Sequence, residues 1–249
     1  TSDEKYLADA TTFIIAVPTP LDRNNEPDLT ALKFALQSIG RNLKKNDIVI
    51  VESSVYPGCS EEVCIPMLEE ISGLKYIRDF GIGSSPERIN PGDELHTIEK
   101  VVKVVAACDE RTLDHMKWLY GDVVGAPLHV APSIKVCEAS KLVENIQRDV
   151  NIALMNELKV ALDAQGIDIE DVLAAAATKW NFASYHPGLV GGSCVGVNSR
   201  YMEFASKKAG FNHRLMTVAR EINDDMPRYY AMSTAQKVSG IKNPKILIV

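Results

Sequence analysis

Continuous apolar runs alternate with amphipathic stretches through the first half of the chain. Thr12 to Val17 (Thr-Phe-Ile-Ile-Ala-Val) is apolar without a break, which predicts a strand covered on both faces. It ends at Pro18-Thr19-Pro20, whose fixed φ forces an extended exit. Asp28 is placed to cap a helix running to about Lys44, with Leu32, Phe34, Ala35, Ile39 and Leu43 at helical spacing. Asp47 to Val51 predicts a second buried strand. It passes through Glu52-Ser53-Ser54-Val55-Tyr56-Pro57-Gly58 into a helix from about Ser60 to Ile71, with Glu61 and Glu62 in the first turn, where the helix dipole favours acids. A third strand near Tyr76 to Ile82 leads into Ser84 to Gly92. A fourth spans Lys100 to Ala106, and a helix from Asp109 to about Tyr120 follows.

Strands and helices joined by short loops predict an α/β fold with a parallel, doubly wound, Rossmann-like sheet. Ligands of such sheets sit at the carboxyl ends of the strands. The polar turns at Thr19, at Ser53-Ser54 and at Glu87 all fall at those ends.

The second half reads as helical. A long helix is predicted from about Ser133 to Gln165 with Gly166 as its stop; Ile146, Val150, Ala153, Leu154 and Leu158 give it an apolar stripe suited to a domain bridge or a dimer seam. Lys141 and Asn145 project from one face of it, one turn apart; taken alone, such a pair is better read as a solvated polar face. Shorter helices are predicted over Ile169 to Ala177, Arg200 to Ala209 and His213 to Val238, the last kinked or broken at Pro227. Lys245 to Val249 reads as the first strand of another α/β unit. The expected domains are therefore 1–132 (a partial nucleotide-binding sheet), 133–240 (an all-α central dimerisation domain) and 241–249 (the start of a truncated third domain).

Between these helices lies Gly188 to Tyr201, with Gly191, Gly192 and Gly196 around Cys194. Glycines allow positive φ and close approach of backbone to a ligand, and a thiol on such a turn suits a nucleophile. A buried structural cysteine beside a glycine turn is the competing reading. The five cysteines form no CxxC pair and no metal-type spacing with the five histidines, which fits free thiols in a reducing cytoplasm and no metal site. A net charge of −6 with a pI near 5.4 argues against a nucleic-acid partner. No apolar run reaches the ~20 residues of a membrane span, and the polar start Thr-Ser-Asp-Glu-Lys has no signal-peptide character.

A dinucleotide-binding sheet opens with a strand and Gly-x-Gly-x-x-Gly at a helix N-terminus. Gly81-Ile82-Gly83 is the nearest match, and it lacks the third glycine. The chain is thus expected to be an internal fragment that begins after the first βαβ unit.

Five segments, in order, resemble the UDP-glucose/GDP-mannose dehydrogenase family, and within it the branch acting on UDP-N-acetylhexosamines. They are Val17 to Pro20 with Glu26 to Leu29, Glu52 to Gly58, Ser85 to Gly92, Glu138 to Asn145, and Gly191 to Cys194. The resemblance spans nearly the whole chain. It implies NAD as cofactor, a UDP-sugar as substrate, a homodimer through the long helix, and a four-electron oxidation of the sugar C6 hydroxyl to a carboxylate, serving surface polysaccharide synthesis. It also implies the roles. Cys194 matches the nucleophile, and Lys141 and Asn145 match the pair that stabilises a developing oxyanion. Glu87 matches the carboxylate that lines the sugar and assists water attack, and Ser54 a hydroxyl beside the nicotinamide. Val17, Pro18, Thr19 and Ser53 match positions along the bound NAD, and Arg88, Ile89, Asn90 and Gly191 positions along the substrate. Ser193 stands where the family has His, Asn198 where it has Asp, and Ser199-Arg200 where it has Pro-Tyr. Loss of the charge at Asn198 implies slower thioester hydrolysis or a shifted thiol pKa. Two other readings accompany this one: a catalytically impaired dimerisation or scaffold module, and a UDP-glucose 6-dehydrogenase. A two-domain hydroxyacid dehydrogenase accounts for sheet and helix but gives no reason for the Cys194 loop.

Overall fold

A computed structural model describes residues 3–89, 92–192 and 195–247. The chain forms two compact units, one of Thr1–Asn145 with Val197–Asn212, the other of Ile146–Gly196 with His213–Val249.

The first unit is built on a five-stranded sheet in the order β1 (Thr12–Ile15), β2 (Ile48–Val51), β3 (Gly81–Ser84), β4 (Lys103–Ala107), β5 (Leu128–Val130). β1, β2 and β3 are parallel, with Ile14 beside Ile50 and Ile50 beside Gly83. The α/β sheet is therefore as expected, with one difference: β4 pairs antiparallel with β3, and β5 then pairs parallel with β4. The β3–β4 connection contains no helix, and an antiparallel neighbour needs no helical crossover. β5 is too short and too polar at its centre, His129, to register as an apolar run. β1 is an edge strand with Ile14 46% exposed, so of the two unbroken apolar runs at Thr12–Val17 and Asp47–Val51 the second alone forms a strand buried throughout. β3 starts at Gly81 rather than Tyr76, because Ile77 turns the chain with φ 66° and only an isolated bridge joins Tyr76 to Phe80.

Helices α1 (Thr30–Asn42), α2 (Ile65–Ser72) and α3 (Glu110–Gly121) belong to this unit, with a π-helical turn over Ser60–Cys64 leading into α2. Leu29, not the expected Asp28, is the N-cap residue of α1; Asp28, one residue earlier, accepts a hydrogen bond from Thr30 N at 2.9 Å, whereas Asp109 caps α3 by accepting from Thr112 N at 2.7 Å. Gly81 and Gly83 have a packing role. A Cβ on Gly81 would stand 2.0 Å from Thr112 Oγ1, and one on Gly83 2.2 Å from Met116 Sδ. Only bare backbone lets α3 lie this close to the strand, so the Gly81-Ile82-Gly83 run is no phosphate loop.

The long helix α4 (Ile134–Asp163) contributes its first three turns to the first unit and the remainder to the second. The second unit adds α5 (Ile169–Ala176) and α7 (Leu215–Val238), while α6 (Val195–Lys208) lies mostly in the first unit. Pro227 does not break α7, which runs unbroken to Val238. Residues 244–247 form no regular structure, so the expected terminal strand is absent among the described residues. Met155, Ile169 and Leu173 make a small apolar core with Leu162, Phe182 and Tyr185.

A buried polar chain runs beside that core. Arg220 Nη1 donates to Asp149 Oδ1 at 2.7 Å, and Asn223 Nδ2 donates to the same oxygen at 2.8 Å. Asn156 Nδ2 donates to Asn223 Oδ1 at 2.8 Å. Asn156 also grips the backbone of Gly188, accepting from its N–H at 2.8 Å and donating to its carbonyl at 3.0 Å.

Candidate functional site

The ends of β1 and β2 are stitched together by hydroxyls. Ser53 Oγ donates to Val17 O at 2.7 Å, and Thr19 Oγ1 donates to Ser54 O at 2.6 Å. Tyr201, a fully buried residue of α6, donates its hydroxyl to Thr19 O at 2.8 Å. The structure thus brings Val17, Pro18, Thr19, Ser53 and Ser54 into one edge.

The exit of β3 supplies the next group. Glu87 Oε1 accepts from its own turn, from Arg88 N at 2.6 Å and Ile89 N at 2.8 Å. Lys141 Nζ donates to the Glu87 carbonyl. Asn145, buried one turn further along α4, donates to Lys141 O at 3.1 Å. Arg88 is fixed by Glu144 at 2.8 Å and by Val102 O at 2.7 Å. Glu87, Arg88, Ile89, Lys141 and Asn145 therefore gather at one place. Asn198 is 1% exposed on α6 of this unit, and neither its amide nitrogen nor its amide oxygen has a hydrogen-bond partner among the described residues. Gly191 lies in the second unit. Asn90 and Cys194 lie outside the described residues.

Two buried charges at this edge escape a motif reading. Glu138, one helical turn before Lys141, accepts from Gly58 N at 2.6 Å and Ser60 N at 3.0 Å and so anchors the turn after β2. Burial pushes its carboxyl above the ordinary carboxylate value, against the pull of these donors. Next to it, burial pushes the Cys137 thiol up to about 12, with Sγ donating to Ser84 O at 3.3 Å, which fits an inert packing cysteine. Lys103, at the start of β4, is 6% exposed; its Nζ lies 3.3 Å from Glu52 Oε1 and 3.8 Å from Glu87 Oε2. One signal pointed to it: a lysine interrupting the apolar run Val101-Val102-Lys103-Val104-Val105.

The turns after β1 and β2 offer hydroxyls, carbonyls and the apolar faces of Val17 and Pro18, while the one carboxylate at their start, Glu52, is taken up by Lys103 and Tyr120. A neutral, flat, amide-bearing ring such as nicotinamide suits that donor set. Among the described residues no cluster of three or more His, Cys, Asp or Glu could hold a metal ion, and no helix is long and apolar enough to cross a membrane.

Parallel strands whose carboxyl ends carry hydroxyl turns, a glutamate and a helix-borne lysine and asparagine define a nucleotide-type α/β protein with a helical partner unit. Comparison with known proteins narrows this. Residues 1–124 match the NAD binding domain of the UDP-glucose/GDP-mannose dehydrogenase family, and residues 135–225 match its central domain. The chain belongs to this family. It is 47% identical over 238 residues to protein CapL of Staphylococcus aureus, covering 96% of this chain and 56% of that protein. It is 49% identical over 217 residues to UDP-N-acetyl-D-glucosamine 6-dehydrogenase of Pseudomonas aeruginosa, covering 87% and 51%. Among solved structures, UDP-D-ManNAc dehydrogenase of Pyrococcus horikoshii superposes with a TM-score of 0.87 at 28% identity, covering 96% of this chain and 57% of that one. The UDP-N-acetyl-mannosamine dehydrogenase Cap5O of Staphylococcus aureus gives 0.82 at 30% identity, covering 95% and 55%. The chain spans about half the length of the curated relatives it matches.

Proposed function

We propose that the protein carrying this chain is an NAD-dependent UDP-N-acetylhexosamine 6-dehydrogenase, oxidising the C6 hydroxyl to a carboxylate in two steps. The observation that supports it most is the junction of Glu87 with Lys141 and Asn145 at a strand end, beside the hydroxyl-lined edge of Val17, Thr19, Ser53 and Ser54. NAD supplies the hydride acceptor. Val17, Pro18, Thr19, Ser53 and Ser54 hold its nicotinamide end, with Glu87 at the boundary between cofactor and sugar. Arg88, Ile89, Asn90 and Gly191 line the sugar nucleotide. Cys194 adds through sulfur to the C6 aldehyde after the first oxidation, and the thioester left by the second is cleaved by water, returning the thiol. Lys141 and Asn145, a cation and an amide donor on one helix face, stabilise the negative oxygen in both additions. Glu87 takes the proton of the attacking water. Asn198 offers a buried amide with unfilled hydrogen-bond capacity and no charge.

The long helix α4 is read as the seam of a homodimer, since Leu154, Leu158 and Val160 on it stand exposed. We place the enzyme in the cytoplasm, with its product destined for surface polysaccharide. The domain reading follows the same lines: a partial NAD-binding domain over 1–132, a central helical domain over 133–240, and the beginning of a third from 241.

The test is NADH release by the natural-length protein against a panel of UDP-sugars. Two NADH per UDP-N-acetylhexosamine, abolished by Cys194→Ala, is the expected result. One NADH per sugar, or equal turnover in Cys194→Ala, would overturn the mechanism. A clear preference for UDP-glucose would correct the substrate.

A further inference from the structure

Lys103 is the only described lysine side chain that stands between two carboxylates while almost wholly withdrawn from water. Its Nζ lies 3.3 Å from Glu52 Oε1, 3.8 Å from Glu87 Oε2 and 3.5 Å from the carbonyl oxygen of Ser85, and 4.9 Å from the centre of the Tyr120 ring. Tyr120 in turn donates its hydroxyl to Glu52 Oε1 at 2.6 Å. Withdrawing an ammonium from water is unfavourable unless fixed partners replace its hydration. Here two acids, a carbonyl and an aromatic face do so. The antiparallel turn of β4 makes the arrangement: it brings the first residue of β4 back to the carboxyl edge of β2 and β3, where Glu52 and Glu87 emerge.

The two acids differ in their surroundings. Glu52 is 19% exposed in its side chain and shares its oxygen with Tyr120, so it is a fixed internal counter-ion. Glu87 is 46% exposed, and one of its oxygens is already taken by the N–H groups of Arg88 and Ile89. Its other oxygen faces Lys103. Without Lys103 that oxygen has no fixed partner among the described residues, and the carboxylate could rotate away.

We propose that Lys103 is a positioning residue: anchored by Glu52 and Tyr120, it holds the free carboxylate oxygen of Glu87 toward the site. This rests on the role given to Glu87 above. Lys103 does not touch substrate; it acts through Glu87.

A double-mutant cycle tests this in the natural-length protein, with NADH release from a UDP-N-acetylhexosamine as readout. Lys103→Met lowers kcat about tenfold to a hundredfold, the scale of a misplaced reacting group, with little change in KM. Lys103→Arg restores part of the loss by keeping the charge. In a Glu87→Gln background Lys103→Met costs less than about threefold more, because the group it positions is already gone. Full multiplication of the two effects, or a loss confined to KM, would overturn the proposal. If Lys103→Met does not fold, Lys103→Gln takes its place in the same cycle. A second readout needs no activity. A carbodiimide activates the Glu87 carboxylate, and attack by the Lys103 amine expels the urea and leaves an amide cross-link, read by peptide mass spectrometry. Cross-linked Glu87–Lys103 peptide is the expected product, and its absence while added amine labels Glu87 would sink the pairing. A wild-type protein that makes the cross-link but no sugar-dependent NADH would refute the dehydrogenase reading and leave the Lys103–Glu87 contact standing.

Discussion

In the second unit Arg220, Asp149, Asn223 and Asn156 close on one another and on the backbone of Gly188, and none of their buried polar atoms is left without a partner. In the first unit two polar groups of the candidate site are unfinished. Glu87 stands half in water, and Asn198 is buried with both amide atoms unpaired among the described residues. A saturated network contributes rigidity, because its members have nothing left to offer a ligand. An unsaturated one costs stability and keeps bonding capacity for something else. The difference teaches where to look for chemistry: among unfilled polar groups, rather than wherever polar groups are buried.

The strongest test of this contrast is Asp149→Ala. It removes the buried carboxylate from the Arg220 guanidinium and leaves, among the described residues, only the half-exposed Asp224 as its partner, and is expected to lower stability by about 3 kcal/mol in urea unfolding. A loss below about 1 kcal/mol would mean that water or another group finishes the network, and the comparison would fail.

Glu138→Gln comes next. One of the N–H groups of Gly58 and Ser60 loses its acceptor, so about 1–3 kcal/mol should be lost, most of it at acid pH. The pH dependence sharpens it. The Glu138 carboxyl is raised above 4.5 in the folded chain, so the folded state holds its proton to higher pH than the unfolded one. Its contribution is present in full below 4.5 and falls as pH rises through the raised value. Stability profiles of wild type and variant should therefore diverge across that window, and parallel profiles would contradict the assignment.

The smallest effect is the most telling. Asn198→Leu removes two unpaired buried atoms at similar volume, so stability should stay within about 1 kcal/mol or rise, while turnover of the natural-length enzyme falls. A marked loss of stability would show that Asn198 is bonded after all and belongs with the saturated kind.

Much of the architecture could be read from pattern alone. The unbroken run Ile48 to Val51, the helix starting at Asp109 and the stop at Gly166 follow from local rules, and they stand where expected. So did the placement of Thr19, Ser53 and Glu87 at strand ends, because parallel strands put every such exit on one edge. The reversed β4, the edge exposure of β1 and the short β5 did not, since strand direction and neighbours are set by pairing partners distant in sequence.

Residue types and their spacing determined the sheet, the long helix and the short list of reactive side chains, because burial and helical periodicity are local properties. Which of those side chains meet was decided only by the folded chain. Lys103 reaches Glu87 because β4 turns back, and Glu138 reaches Gly58 because α4 lies against the β2 exit. Whether a buried polar atom is saturated, like Asp149, or unfilled, like Asn198, depends on groups tens of residues away, and no local pattern encodes that distance.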